Sequence, residues 1–296
     1  MTLRPDRRSV LTGLAALPVL AGTGLAKTGR ERPFNLRVIM SGHSLTDPIP
    51  GPLTAMVRAA GGEAAIGMKI DADTVPGSPI EWRWEHRDRT PDSRMDIGNY
   101  DLLVLTERVT VRSAMQWHRT KELALEWFNL AWTKGSGDRG AETILYASWI
   151  SITSGPDNKD EYDSEEQLIP FRERLDLEMG SWQEIVDHVN RIRISGSPPM
   201  RAIPGPKVMA AVYDAIAAGT APGLKAMSDI FEDSIHVNGL GGFLISLAHF
   251  AVIYGRDPRS IPDLRGEGNW PSREQAEWMK QLVWDVVRAY PDSGLT

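Results

Sequence analysis

Residues 35–45 read NLRVIMSGHSL, an apolar run that passes directly into a turn of small and polar residues. The run over residues 35–40 is short and contains β-branched side chains, which predicts a buried strand that ends at Ser41 and Gly42. A proline-rich turn and a helical pattern over residues 53–60 follow it. A strand, a tight turn and a helix in this order predict the first half of a β-α-β unit.

The rest of the chain continues this alternation. We predict a weaker strand over residues 63–70 and further strands over 101–106 and 143–150. The segment at 101–106 contains a continuous apolar run over residues 102–105, which is typical of a strand that is covered on both faces. Helical periodicity marks residues 121–132, 182–192, 207–217, 239–254 and 273–288. Strands that alternate with helices predict a parallel sheet with helices on both faces.

Three segments do not fit the alternation. Residues 154–180 are polar and acidic, and we expect an irregular excursion there. Residues 196–206 are rich in proline and glycine and separate two helices. Residues 229–235 are predicted to be a short final strand or an extended loop. None of the three changes the predicted class.

The composition excludes several kinds of chemistry. The 296 residues carry 33 Lys and Arg against 39 Asp and Glu, a net charge of −6 that argues against nucleic acid as a partner. There is no cysteine, which removes disulfides, thiolate nucleophiles and zinc-thiolate sites. The hydrophobic content of 42% is that of a globular protein, and the length suits one large domain or two small ones.

The N-terminus has the pattern of an export signal. Arg7 and Arg8 precede an apolar run over residues 10–26 that ends in small residues, the layout of a secretory signal of the twin-arginine type. A membrane anchor is the alternative, but the run is short and is interrupted by glycine and proline. We therefore predict a cleaved signal at residues 1–26, a single domain at 27–296, a periplasmic or secreted location and no stable membrane insertion.

Two short motifs carry residues that are able to do chemistry. Ser44 follows the first strand on a tight turn, where a serine hydroxyl is exposed and backbone N–H groups can bind an oxyanion. Asp233 precedes His236 by three residues, so the carboxylate could orient the imidazole as a general base. Taken singly, each motif also has a simpler interpretation. Ser44 could be a turn serine that caps the next helix. The Asp233 motif could be a helix N-cap that has a surface histidine beside it.

Together the two motifs resemble the SGNH/GDSL hydrolase superfamily. The residues GHSL at 42–45 are similar to its first block, and the residues DSIH at 233–236 are similar to its C-terminal block, about 190 residues further on. The resemblance implies a three-layer α/β/α fold with a flavodoxin-like parallel sheet. It also implies a catalytic triad in which Ser44 is the nucleophile, His236 is the general base and Asp233 orients the imidazole.

The resemblance extends to the oxyanion hole only in part. The backbone N–H groups of Ser44 and Gly77 would form the hole, although Gly77 also fits an ordinary Pro-Gly turn. The family's third block supplies an asparagine after the third strand, and this chain has Glu107 in that region. Glu107 could be protonated in a dry pocket, bind a substrate hydroxyl or pair with Arg108.

The predicted activity is that of an exported serine esterase that needs no cofactor or metal. Its substrate is a small-molecule or glycan ester, and Trp82 at the edge of the site could stack on a sugar, although packing against the domain is the other interpretation. That aromatic residue and the export signal favour the O-acetyl groups of a carbohydrate. Two alternatives stay open, a non-catalytic binding or assembly protein and an O-acyltransferase that uses the same residues. The sequence does not specify an oligomeric state.

Overall fold

A computed structural model describes residues 31–157, 166–266 and 268–295. The predicted signal at residues 1–26 lies outside the described residues. Within them, no helix combines the length and the apolar character that a membrane span needs.

The core of the molecule is a sheet of five parallel strands. Strand β1 is next to β2 on one side and to β3 on the other, and the complete order is β2-β1-β3-β4-β5. This order is the flavodoxin-like, doubly wound arrangement, so the predicted fold class is confirmed. The strand bounds are β1 Arg37–Gly42, β2 Lys69–Thr74, β3 Leu102–Leu105, β4 Glu142–Ala147 and β5 Arg201–Pro204.

Helices cover both faces of this sheet. Alternate residues of β1 point to opposite sides, so Val38 and Met40 pack with one group of helices and Ile39 packs with the other. Helices α1, α6, α7 and α8 form the first layer, whereas α2, α4 and the second half of α5 form the other. The helix bounds are α1 Pro50–Gly61, α2 Ile80–Glu85, α3 Val111–Trp117, α4 Thr120–Asp138, α5 Phe171–Ile192, α6 Gly205–Ala217, α7 Gly239–Tyr254 and α8 Arg273–Ala289.

The strand predictions were wrong at the two edges of the sheet. The segment predicted as a strand at 63–70 begins with a 3₁₀ helix over Gly62–Ala65, and β2 starts only at Lys69. Strand β5 lies inside the segment that was predicted to be a connection. Both are edge strands, which need no continuous apolar run and can tolerate a proline. Strands β1, β3 and β4 lie within two to three residues of their predicted bounds.

Of two further segments, one differs from the sequence prediction and the other takes the second of its two predicted forms, an extended loop. Helix α5 begins at Phe171, well inside the stretch that was predicted to be irregular. Residues 229–235 form no strand; they lie in a 3₁₀ turn over Met227–Ile230 and a loop closed by a single bridge between Phe231 and Val237. That loop brings the Asp-Ser-Ile-His motif to the sheet.

The chain order fixes where the strands diverge. After β1 the chain forms β2 on one side and then crosses to form β3 on the other side of β1. In doubly wound sheets, ligands bind beyond the carboxyl ends of the strands at this switch point. The turn after Gly42, the loop after Thr74 and the loop after Leu105 therefore meet at one edge.

Candidate active site

Ser44 lies in the turn that joins β1 to α1. The turn is closed by hydrogen bonds from the Thr46 N–H to the His43 carbonyl (2.8 Å) and from the Ile49 N–H to the Thr46 carbonyl (3.0 Å). It needs a glycine at position 42, because a Cβ there would overlap the Thr46 hydroxyl. The turn leaves Ser44 half-buried at the carboxyl edge of the sheet.

Asp233 and His236 lie in the loop between Phe231 and Val237. The loop holds its own shape, because one oxygen of Asp233 accepts hydrogen bonds from the N–H groups of Ile235 and His236, each at 2.7 Å. The buried Trp149, which follows β4, donates its indole N–H to the Ile235 carbonyl (2.8 Å). The loop is thereby fixed against the same edge of the sheet as the Ser44 turn.

The structure brings the three predicted triad residues into one hydrogen-bonded chain. Ser44 Oγ lies 2.9 Å from His236 Nε2, and His236 Nδ1 lies 2.7 Å from the second oxygen of Asp233. The backbone hydrogen bond from His236 is the largest influence that lowers the pKa of Asp233 to about 2, so the carboxylate is ionised and can only accept. His236 then carries its proton on Nδ1, and Nε2 is free to accept the hydroxyl proton of Ser44.

Gly77 lies in the loop after β2, in a turn made by residues 75–78. Its φ of +67° and the hydrogen bond from the Ser78 N–H to the Val75 carbonyl (3.1 Å) are typical of a type II turn, which favours glycine at this position. The Val75 N–H donates to the Gly42 carbonyl (3.1 Å), so this loop starts beside the Ser44 turn. Within the described part of the chain, the N–H groups of Gly77 and Ser44 have no hydrogen-bond acceptor.

Glu107 does not reach the surface of the site. Its side chain is fully buried, one carboxylate oxygen accepts from the N–H groups of Ile80 (3.0 Å) and Arg108 (2.7 Å), and the other accepts from the Thr120 hydroxyl (2.8 Å). Burial raises its pKa, while the nearby charge of Arg83 opposes that rise. Glu107 joins the starts of α2 and α4, which corrects its interpretation as a substrate contact.

His43 lies directly before Ser44 in the same turn and is buried. Its Nε2 donates to the Glu107 carbonyl (2.9 Å), and its Nδ1 lies 3.4 Å from the Leu45 N–H. Burial, reinforced by the charge of Arg83, lowers the pKa of His43 to about 3. The imidazole is therefore neutral and ties the Ser44 turn to the loop after β3.

Trp82, which the sequence offered as a sugar platform or as a packed residue, makes its ring contacts within its own segment. It lies on α2 and is half-buried, and its ring stacks on His86 at 4.0 Å with an interplanar angle of 11°. The Arg89 guanidinium lies over the same ring at 5.5 Å. These contacts within its own segment favour the packing interpretation of Trp82, and stacking on a sugar stays a prediction.

Arg83 is the residue near the site that the sequence reasoning missed. It is fully buried and donates to Ser41 Oγ (3.1 Å), to the Ser78 carbonyl (2.6 Å) and to the Thr106 carbonyl. It lies in the run EWRWEHRDR at 81–89, where the many charges predict a solvated loop. No local signal distinguishes it from the arginines beside it. Among the described residues, no group of His, Asp or Glu is arranged to hold a metal ion.

Comparison with known proteins supports the fold. No family model matches the chain, and no curated protein matches it. Among solved structures, a DUF4886 family protein from Bacteroides uniformis aligns with a TM-score of 0.60 at 13% identity, over 87% of this chain and 96% of that one. The shared architecture is the α/β/α fold that the resemblance to SGNH/GDSL hydrolases implied.

Two further structures align less closely. The acetyl xylan esterase AlAXEase gives a TM-score of 0.46 at 13% identity, over 74% of this chain and 100% of its own. A protein described as a GDSL-like lipase, from Parabacteroides merdae, gives 0.46 at 14% identity, over 75% of this chain and 96% of its own. At these identities, likeness concerns the fold, and the chemistry has to be argued from the residues of this chain.

Proposed function

We propose that this protein is a serine hydrolase that cleaves carboxylic esters. One observation carries the proposal: Ser44, His236 and Asp233 form a continuous hydrogen-bonded chain at the carboxyl edge of the sheet. A serine hydroxyl is a weak nucleophile until a base takes its proton, and an imidazole that is oriented by a carboxylate is the usual base. Residues from distant parts of the sequence meet here in the order that this chemistry requires.

The proposed reaction has two stages. The Ser44 oxygen bonds to the ester carbonyl carbon while His236 Nε2 takes the hydroxyl proton, and the N–H groups of Ser44 and Gly77 hold the oxyanion. The alcohol leaves with the proton from His236. Water then attacks the acyl-Ser44 ester by the same proton path, which releases the carboxylic acid and restores the serine. The residues of the chain supply the nucleophile, the general base and the oxyanion donors of both stages, and water is the only further reactant besides the ester.

The substrate class that we propose is a short-chain ester, such as an O-acetyl group on a carbohydrate. The side chains of His236 and Asp233 are 40% and 55% exposed, so the acid-base side of the site is open to solvent. An open site accommodates a bulky alcohol component beside a small acyl group. The export signal predicted at residues 1–26 would place the enzyme in the periplasm or outside the cell, where carbohydrate polymers occur.

The first test compares Ser44→Ala with the unchanged protein. Residues 27–296 are assayed for p-nitrophenyl acetate hydrolysis, and Ser44→Ala is expected to lose at least about 10³-fold in rate. Ser181→Ala is the matched control, because among the described residues that hydroxyl donates to the Leu177 carbonyl within α5, away from the proposed site. Equal rates in the Ser44 variant and the unchanged protein would contradict the mechanism. No activity in either would favour a binding protein on this fold.

A second assay separates hydrolysis from acyl transfer. The protein is given an acyl donor together with a soluble glycan, and the acylated glycan and the free acid are both measured. A hydrolase is expected to produce mainly free acid, because the open site admits water to the acyl-Ser44 ester. Acyl glycan in excess over free acid would instead support an O-acyltransferase that uses the same residues.

A further inference from the structure

Arg83 links the ends of three strands at the proposed site. Its guanidinium Nε donates to Ser41 Oγ at 3.1 Å, and one terminal nitrogen donates to both the carbonyl (2.6 Å) and the hydroxyl (2.9 Å) of Ser78. The other terminal nitrogen donates to the Thr106 carbonyl. Ser41 belongs to β1, Ser78 follows β2 and Thr106 follows β3, so one buried side chain spans three adjacent strand ends.

Two of these acceptors are close in sequence to the proposed oxyanion donors. Ser78 directly follows Gly77, and Ser41 precedes Ser44 by three residues. We infer that Arg83 is a positioning residue that fixes the Gly77 turn relative to the Ser44 turn, so that the two backbone N–H groups converge on one oxyanion. This inference rests on the proposed ester hydrolysis for its catalytic consequence.

The chemistry of the guanidinium suits this role. It is planar and presents its N–H groups in a rigid fork, whereas a lysine ammonium is a point charge that cannot reach three separate acceptors in fixed directions. Burial lowers the pKa of Arg83 to about 10, so the group remains charged at neutral pH, and the buried carboxylate of Glu107 lies near enough to stabilise that charge. The position is thus held by directed hydrogen bonds as well as by packing.

Because the asparagine of the family's third block is missing, the placement of the two backbone donors becomes more important. With no side-chain amide after β3, the N–H groups of Ser44 and Gly77 would hold the oxyanion without a third donor. A displacement of about 1 Å in a reacting geometry can cost about 10²-fold in rate. A displacement of the Gly77 turn would therefore lower kcat.

The deciding experiment compares Arg83→Lys with Arg201→Lys. Arg201 is a matched control, since its side chain is only 14% exposed and its guanidinium binds the Val252 carbonyl and Glu142 at the opposite edge of the sheet. Arg83→Lys is expected to lower kcat for p-nitrophenyl acetate by about 10- to 100-fold with KM changed less than about twofold. Arg201→Lys is expected to change both by less than about twofold.

Hydrogen exchange supplies a readout that does not depend on activity. In Arg83→Lys, peptides over residues 41–47 and 75–82 should exchange faster, while a peptide over 273–289 in α8 should be unchanged. An equal rise in all three peptides would mean a general loss of stability and would overturn the inference. Unchanged kcat and unchanged exchange in a folded Arg83→Lys protein would overturn it as well.

Milder variants keep the inference testable if Arg83→Lys does not fold. Ser41→Ala and Ser78→Ala each remove one hydroxyl acceptor of Arg83, and each is expected to lower kcat by about two- to fivefold. Unchanged kcat and exchange in both would refute the positioning role. If the unchanged protein shows no hydrolysis that depends on Ser44, the proposed function fails, and the exchange of residues 75–82 still decides whether Arg83 positions the turn.

Discussion

The two halves of the proposed triad lie in different surroundings. The Ser44 turn lies over a buried polar cluster made by His43, Arg83 and Glu107, whose exposed fractions are 3%, 0% and 0%. His236 and Asp233 lie on an open loop, with side chains 40% and 55% exposed. A buried charge that loses its partner lowers the stability of the fold, whereas an exposed charge is solvated by water. Stability and activity are therefore coupled on the nucleophile side and separable on the acid-base side.

The largest expected effect tests the exposed half. His236→Gln removes the base, so hydrolysis should fall by about 10⁴-fold, which corresponds to about 5.5 kcal/mol of transition-state stabilisation. Because the side chain is 40% exposed, the free energy of unfolding should change by no more than about 0.5 kcal/mol. Steady-state kinetics and urea unfolding measure the two quantities. A large loss of stability would show that the loop is coupled to the core after all.

The buried half should respond in the opposite way. Glu107→Leu leaves the donors of Ile80, Arg108 and Thr120 without an acceptor and removes the charge opposite Arg83. We expect the free energy of unfolding to fall by about 3 to 5 kcal/mol, measured by urea denaturation. Glu107→Gln is the control, because it preserves the shape and one acceptor oxygen, and it should lose less. Equal stability of all three proteins would contradict the structural role of Glu107.

The same contrast explains what the sequence could predict. Ser44, Asp233 and His236 belong to short contiguous motifs, and the turn and the Asp233 loop each make their local hydrogen bonds within a few residues. Such local relations are visible in a sequence. The contacts of Arg83 join residues 41, 78 and 106, which come together only when three strands pair. A charged residue in a charged run predicts exposure, and tertiary burial overrides that preference.

The sheet shows a parallel distinction between centre and edge. Strands β1, β3 and β4 are central and carry the continuous apolar runs that indicate burial on both faces. The sequence KIDADT of β2 alternates acidic and apolar residues, and β5 has four residues that end at Pro204. Edge strands need no such runs, which is why hydrophobic patterning placed the site-bearing centre correctly and missed both edges.

The smallest of these three effects concerns Asp233, where replacement by asparagine should be more damaging than replacement by alanine. One oxygen of Asp233 accepts from the N–H groups of Ile235 and His236, so in Asp233→Asn the amide oxygen must remain there. The amide NH₂ group would then face His236 Nδ1 and force the ring proton onto Nε2, which could no longer accept from Ser44.

Asp233→Ala leaves the imidazole free to adopt either tautomer. We therefore expect the rate of ester hydrolysis to fall by about 10²-fold in Asp233→Asn and by about tenfold in Asp233→Ala, both milder than for a buried triad acid because water solvates the exposed loop. In the unchanged protein the acid limb of the pH-rate profile should not report Asp233, because its pKa of about 2 keeps it ionised above that range. A larger loss in Asp233→Ala than in Asp233→Asn would show that the carboxylate acts mainly by holding the loop and not by selecting the tautomer of His236.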